Sequence, residues 1–92
     1  MTVRDDAARH RFEIEVDGVV AGFATYARQD DVVTVLHTEV DRAYRGRGVA
    51  QRLAGGTLDL LRAHGEKIVP VCPFFVGYLE KHPDDQDLLA AE

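Results

Sequence analysis

The period of the apolar residues changes between Val40 and Val49, and that change limits the fold more than any other feature. From Arg11 to Val16 polar and apolar residues alternate. Phe12, Ile14 and Val16 take one face and Arg11, Glu13 and Glu15 the other, the pattern of a half-buried strand. Asp17-Gly18 follows directly and predicts a tight hairpin, whose two central positions need positive φ. Val19 to Arg28 reads as a second strand, closed by Gln29-Asp30-Asp31. Val32 to Val40 is a third, nearly continuous in apolar residues through Leu36, which predicts an interior strand covered on both faces. Beyond the change, Val49, Ala50, Leu53, Ala54, Thr57, Leu58 and Leu61 recur at three- and four-residue spacing, predicting an amphipathic helix that stops at Gly65. Gly55-Gly56 inside it costs up to about 1 kcal/mol per glycine relative to alanine, so either the helix kinks there or something packs very close. Lys67 to Cys72 suits a fourth strand, which Pro70 confines to an edge or a splayed position. Pro73 then opens a second helix through about Lys81, with His82-Pro83 as its stop. The expected fold is α+β, with an about four-stranded, mostly antiparallel sheet and two main helices.

With 92 residues the chain has room for one modest core, so residues 1–92 are expected to form a single domain. The formal net charge of −5 argues against general binding to nucleic acid or to an anionic membrane. Its distribution says more: Arg42, Arg45, Arg47 and Arg52 lie in a stretch without acids, whereas Glu80 to Glu92 is acidic. That end is either a solvated tail, with Leu88 and Leu89 able to dock, or an attractor for a cationic molecule. One cysteine, Cys72, excludes an internal disulfide, and His10, His64 and His82 lack metal-ligand spacing. The first ten residues lack the apolar core of a signal peptide. These features predict a cytoplasmic protein without a metal, a monomer or weak homodimer.

Arg45-Gly46-Arg47-Gly48-Val49-Ala50 follows the interior strand and enters the helix. A helix N-terminus offers unpaired N–H groups and partial positive charge, glycines let an anion approach the backbone, and arginines add charge. Together they predict a phosphate or pyrophosphate cradle. Alternatively the glycines only shape a loop and the arginines are solvated. A P-loop is excluded because Val49 and Ala50 stand where Lys and Ser or Thr are required. A dinucleotide fingerprint is excluded because Gln51 replaces its third glycine and hairpins replace parallel crossovers. Phosphate-backbone binding of nucleic acid is disfavoured, since no aromatic stacking platform accompanies the arginines.

The turn resembles the R/Q-x-x-G-x-G/A signature of the GNAT superfamily of acetyl-CoA-dependent N-acetyltransferases, with Arg45, Gly48 and Ala50 in its fixed positions. The stretches HTEVDRAYRGRGVAQRLA and CPFFVGYLEKHP resemble the small, truncated members of YjdJ-like, N-acetyltransferase domain-containing type, and the similarity covers about Phe12 to Leu89. It implies a minimal GNAT-like (acyl-CoA N-acyltransferase) fold in which Val40, Arg45, Gly46, Arg47, Gly48, Val49 and Ala50 bind the coenzyme A pyrophosphate. It also implies acetyl transfer to an amine, such as an exposed protein amine or a polyamine. A full-length member carries a first strand and two helices ahead of these strands and a hairpin after the last helix. The resemblance leaves no residues for those parts here, so a non-catalytic coenzyme A or acyl-CoA binding module is the alternative.

Acetyl transfer needs a base for the amine and an acid for the departing thiolate. A strict period of two puts Val33, Val35, His37 and Glu39 on one face of the third strand. Glu39 is the candidate base, since the resemblance implies a carboxylate on this strand. The same resemblance places the thioester where the fourth and fifth strands splay, with His37, Glu39 and Cys72 facing or bordering that gap. Cys72, beside a helix start, is either a nucleophile activated by His37 or a small buried hydrophobe. Tyr78 is the candidate acid, although an alternative register puts Leu79 at that position. Tyr44 is a packing residue or a contact for the adenine side.

Overall fold

The computed structural model describes residues 1–91. Its strands are β1 (Thr2–Asp6), β2 (Arg11–Val16), β3 (Val19–Gln29), β4 (Val32–Val40) and β5 (Lys67–Pro70). The helices are α1 (Val49–Ala63) and α2 (Pro73–Glu80), with 3-10 turns at Ala7–Arg9, Arg42–Tyr44 and Pro83–Leu88. The strands lie side by side in chain order. The first three pairings are antiparallel and β4–β5 is parallel, with α1 as the crossover.

The class is α+β as expected, but the sheet has five strands instead of about four. Thr2–Asp6 is a strand ahead of Arg11, where the resemblance left no residues for one. Its register, Thr2 opposite Glu15 through Asp6 opposite Arg11, is held by charge pairs as well as by the ladder. Arg4 bonds Glu13 and Glu15, and Tyr26 and Arg28 both bond Asp5.

Asp17 and Gly18 adopt φ of 52° and 79°, the double positive φ that the β2–β3 turn requires. Phe12, Ile14, Ala24, Tyr26, Val33 and Val35 pack inward against Leu53, Ala54, Leu58 and Leu61 of α1 and against Phe75 and Leu79 of α2. The interior position of β4 holds, yet its expected burial on both faces does not, since Leu36 is 47% exposed.

Helix α1 runs unbroken through Gly55-Gly56, so close packing and not a kink explains the pair. A Cβ at Gly56 would lie 2.4 Å from a Val3 methyl of β1, and one at Gly55 would lie 3.0 Å from the Tyr78 hydroxyl. Gly56→Ala should therefore destabilise the protein by about 1 kcal/mol, because overpacking of ~1–3 kcal/mol outweighs the propensity gain of alanine. Thermal melting of Gly56→Ala with and without Val3→Ala checks this: the double variant should recover part of the loss, and additive effects would refute the contact. Thr57 is fully buried on the same helix, and its Oγ1 has no hydrogen-bond partner among the described residues. Thr57→Val, which removes that unpaired hydroxyl at constant shape, should raise stability by about 1 kcal/mol, read as a higher melting temperature.

Over its described residues the acidic end is docked and is not a free tail. Arg62 of α1 pairs with Asp85 and Asp87, Lys67 donates to the Asp87 carbonyl, and Gln86 donates to the Leu79 carbonyl. Leu88 enters the core, and the Ala90 N–H bonds Ile68 beside β5.

Candidate functional site

Two departures from regular pairing build the site. The first is a β-bulge. Thr25 opposes His37 and Tyr26 opposes Val35, so Leu36 is an extra residue in β4. Alternation restarts there: Val33, Val35, Thr38 and Val40 share the helix-covered face, while His37 and Glu39 stand on the opposite, outer face. This corrects the expectation that His37 and Glu39 share a face with Val33 and Val35. A one-residue insertion flips every side chain beyond it.

The second departure is a gap. β4 and β5 pair only from Val32–Lys67 to Val35–Pro70. Pro70 has no N–H to continue the ladder, and the N–H groups of Val71 and Cys72 both converge on the Val35 carbonyl, at 2.9 and 3.0 Å. The chain then turns into α2. Leu36 to Val40 are left without a strand neighbour on that side, which is the splay that the resemblance implies.

Cys72 is the N-cap residue of α2, 5% exposed, and its Sγ donates to Thr38 Oγ1 at 3.2 Å across the inner side of this gap. His37 is beside Glu39 instead, with Nε2 3.6 Å from Oε2, and both side chains are about 60% exposed. The fold thus joins His37 to Glu39 and Cys72 to Thr38, and does not bring His37 to Cys72. Tyr78 stacks on His82 with ring centroids 3.8 Å apart. Burial, with the charges of Asp85 and Asp59, pushes its phenol above the ordinary value, so at neutral pH it stays a proton donor. Leu79, the alternative register, is buried in the core.

The cradle follows β4. Asp41 Oδ1 accepts from the Ala43 N–H and starts the Arg42–Tyr44 turn. Gly46 and Gly48 then adopt φ of 78° and 74°. Gly48 is the N-cap of α1 and has no side chain to cap it, so no side-chain cap occupies the helix's first N–H groups. Beside them is a cavity of about 380 Å³ lined by Val40, Tyr44, Arg45, Gly46, Gly48, Val49, Ala50 and Gln51. Of the expected cradle residues Arg47 alone is outside this lining; its guanidinium lies 5.3 Å from the Tyr44 ring centroid. Among the described residues none of Arg42, Arg45, Arg47 and Arg52 has an acidic partner.

Gln51 also lines a second cavity of about 250 Å³ between the helices, with Pro73, Phe74, Gly77, Tyr78, Lys81 and His82. Gln51 and His82 were not anticipated. Their signals were the position of Gln51 in the first turn of α1 and the i, i+4 spacing of Tyr78 and His82. The described residues hold no group of three or more His, Cys, Asp or Glu placed to bind a metal, and no helix among them is long and apolar enough to cross a membrane.

A strand, a glycine-capped helix start and a splayed neighbouring strand follow one another in the order that the resemblance implies for a GNAT-like fold. The chain belongs to the GCN5-related N-acetyl-transferase family, whose model matches residues 11–88. It is similar to Protein NATD1 of Mus musculus, with 31% identity over 90 residues, covering 94% of this chain and 80% of that protein. Protein NATD1 of Homo sapiens is likewise 31% identical, with 94% of this chain and 78% of that protein covered. Among solved structures, a solution structure of a GCN5-like protein from Staphylococcus aureus shares the fold at a TM-score of 0.70 and 24% identity, over 98% of this chain and 88% of that one. An aminoglycoside N-acetyltransferase solved in complex with CoA aligns at a TM-score of 0.51 and 23% identity, over 90% of this chain and 69% of that one.

Proposed function

We propose that this chain is an acetyl-CoA-dependent N-acetyltransferase acting on an amine, with one domain, residues 1–92, carrying both coenzyme binding and transfer. The observation that carries this reading is the cradle: a helix start capped by a glycine at positive φ, beside a cavity of about 380 Å³ and arginines without an acidic partner among the described residues. The N–H groups at the start of α1 hold the pyrophosphate, and Arg45, Arg47 and Arg52 offset its charge. Bound acetyl-CoA supplies the acetyl group as a thioester. The gap between β4 and β5 receives it, bordered by Thr38 and Cys72.

Glu39 takes one proton from the acceptor ammonium and passes it to solvent. As the N–C bond forms and the C–S bond breaks, the second nitrogen proton leaves for solvent and Tyr78 protonates the sulfur, recovering its own proton from solvent. His37 orients Glu39 through their 3.6 Å contact. The protein works in the cytoplasm as a monomer or weak homodimer, without nucleic acid, membrane or metal.

Calorimetry with coenzyme A and a free-thiol release assay with a panel of amines test this. Binding with thiol release is the expected result. Binding without release for any amine makes the chain a coenzyme-binding module, and absence of binding overturns both readings. Cys72→Ala is expected to keep turnover within about tenfold, because Sγ is engaged by Thr38 and His37 lies on the other face. Complete loss in a folded Cys72→Ala protein would instead establish an acyl-enzyme route.

A further inference from the structure

Glu13 lies in the middle of β2 on the face opposite the helices, yet it is fully buried. Two arginines enclose its carboxylate. Arg4 donates to Oε1 at 3.1 Å through Nη2, and Arg11 reaches Oε2 at 2.8 Å through Nε and 2.7 Å through Nη2. The second pair fixes the Arg11 guanidinium 4.4 Å from the centroid of the Phe23 ring and leaves Nη1 without a partner among the described residues. Cross-strand pairing sets Glu13, Phe23 and Glu39 in one row. The carboxylate of Glu39 therefore stands about one strand spacing, ~5 Å, beyond the aromatic ring.

Arg11, Phe23 and Glu39 line a cavity of about 400 Å³ with Val20 and Asp41. Val40 lines both this cavity and the cradle, so the two meet at the end of β4. Neither Glu39 nor Asp41 has a lysine or arginine partner among the described residues, and Asp41 spends only Oδ1 on the Ala43 N–H. The outer cavity thus has a clamped guanidinium at one end, an aromatic floor and two carboxylates at the end nearest the cradle.

We infer that the acceptor is an amino acid or another small amine that carries its own carboxylate. Its ammonium lies between Glu39 and Asp41, and its carboxylate meets Nη1 of Arg11 across the Phe23 ring. A diamine or polyamine would set a second positive charge against Arg11, and an anion without an amine would face two carboxylates. A molecule with both charges satisfies each end. Glu13 is then a positioning residue: it holds a long, flexible side chain in one place before the ligand arrives.

This inference rests on the acetyltransferase reading for its chemistry but can be tested apart from it. The coenzyme A-loaded protein is titrated by calorimetry with the twenty amino acids, their amides and the corresponding decarboxylated amines. At least one amino acid should bind at least tenfold more tightly than its amide and its amine. Arg11→Gln should erase that preference by weakening the amino acid alone, with coenzyme A affinity unchanged. Asp41→Asn lies outside the Glu13 clamp, keeps an acceptor for Ala43, and should weaken amino acid and amine alike, so it serves if Arg11→Gln does not fold. Equal binding of amides or amines, absence of binding by any amino acid, or a preference that survives Arg11→Gln overturns the proposal. Thiol release with polyamines and no amino-acid preference sinks this inference and leaves acetyl transfer standing. Amino-acid binding without thiol release does the reverse.

Discussion

Gly48→Val is expected to weaken coenzyme A binding about 100-fold while the protein still folds. The φ of 74° at this position costs an L-residue roughly 1–2 kcal/mol, more for a β-branched one. A Cβ there meets no atom within 4 Å, so the fold itself is not overpacked and the melting temperature should fall by roughly 4–16 °C. The larger effect falls on the ligand. Relaxation of the backbone turns the first N–H groups of α1 away, and the valine methyls occupy the approach to them. Losing two charge-assisted hydrogen bonds of ~1.5 kcal/mol each amounts to about 3 kcal/mol, which is the stated factor. Calorimetry with coenzyme A measures the loss, and pantetheine, which lacks the pyrophosphate, provides the control. Pantetheine should bind both proteins equally. Wild-type affinity for coenzyme A in Gly48→Val would show that the turn does not hold the anion.

The parts of this site that could be read from the chain are those set by local chemistry. Asp17-Gly18 announces a turn because both residues tolerate positive φ, and Gly46 and Gly48 announce the cradle for the same reason. The seven apolar positions of α1 declare their face by spacing alone. What stayed hidden depends on partners far along the chain. β1 reads as polar because its backbone ladder with β2 and its pairs with Glu13, Tyr26 and Arg28 supply what its own apolar content lacks. Gly55-Gly56 signalled close packing, but Val3 and Tyr78 as its causes lie about fifty residues before and twenty after it. The acids of the C-terminal turn looked free because Arg62 meets Asp87 only once the fold brings them together. The bulge at Leu36 has no local mark either, since it exists only in the register of β4 against β3.

That bulge decides what removal of the candidate base should do. With strict alternation Glu39 would point into the helix-covered layer, where an ionised carboxylate without a partner is costly. With Leu36 extruded it stands 60% exposed on the outer face, two residues from His37 and beside the end of the cradle. An acceptor arriving from that face meets the carboxylate before it meets the thioester in the gap. Glu39→Gln preserves the shape and removes the base, so turnover should fall by about 10²- to 10⁴-fold, with coenzyme A affinity unchanged. The loss should shrink for hydroxylamine, which is already neutral at assay pH and needs no deprotonation before attack. His37→Ala, which removes only a neighbour at 3.6 Å, should cost a few-fold at most. If Glu39→Gln releases thiol at the wild-type rate with a protonated amine, Glu39 is not the base. If it loses the same factor with hydroxylamine, the carboxylate binds the acceptor and does not take its proton. The two substrates therefore separate positioning from proton transfer at one side chain, because only the protonated amine must shed a proton before it can attack.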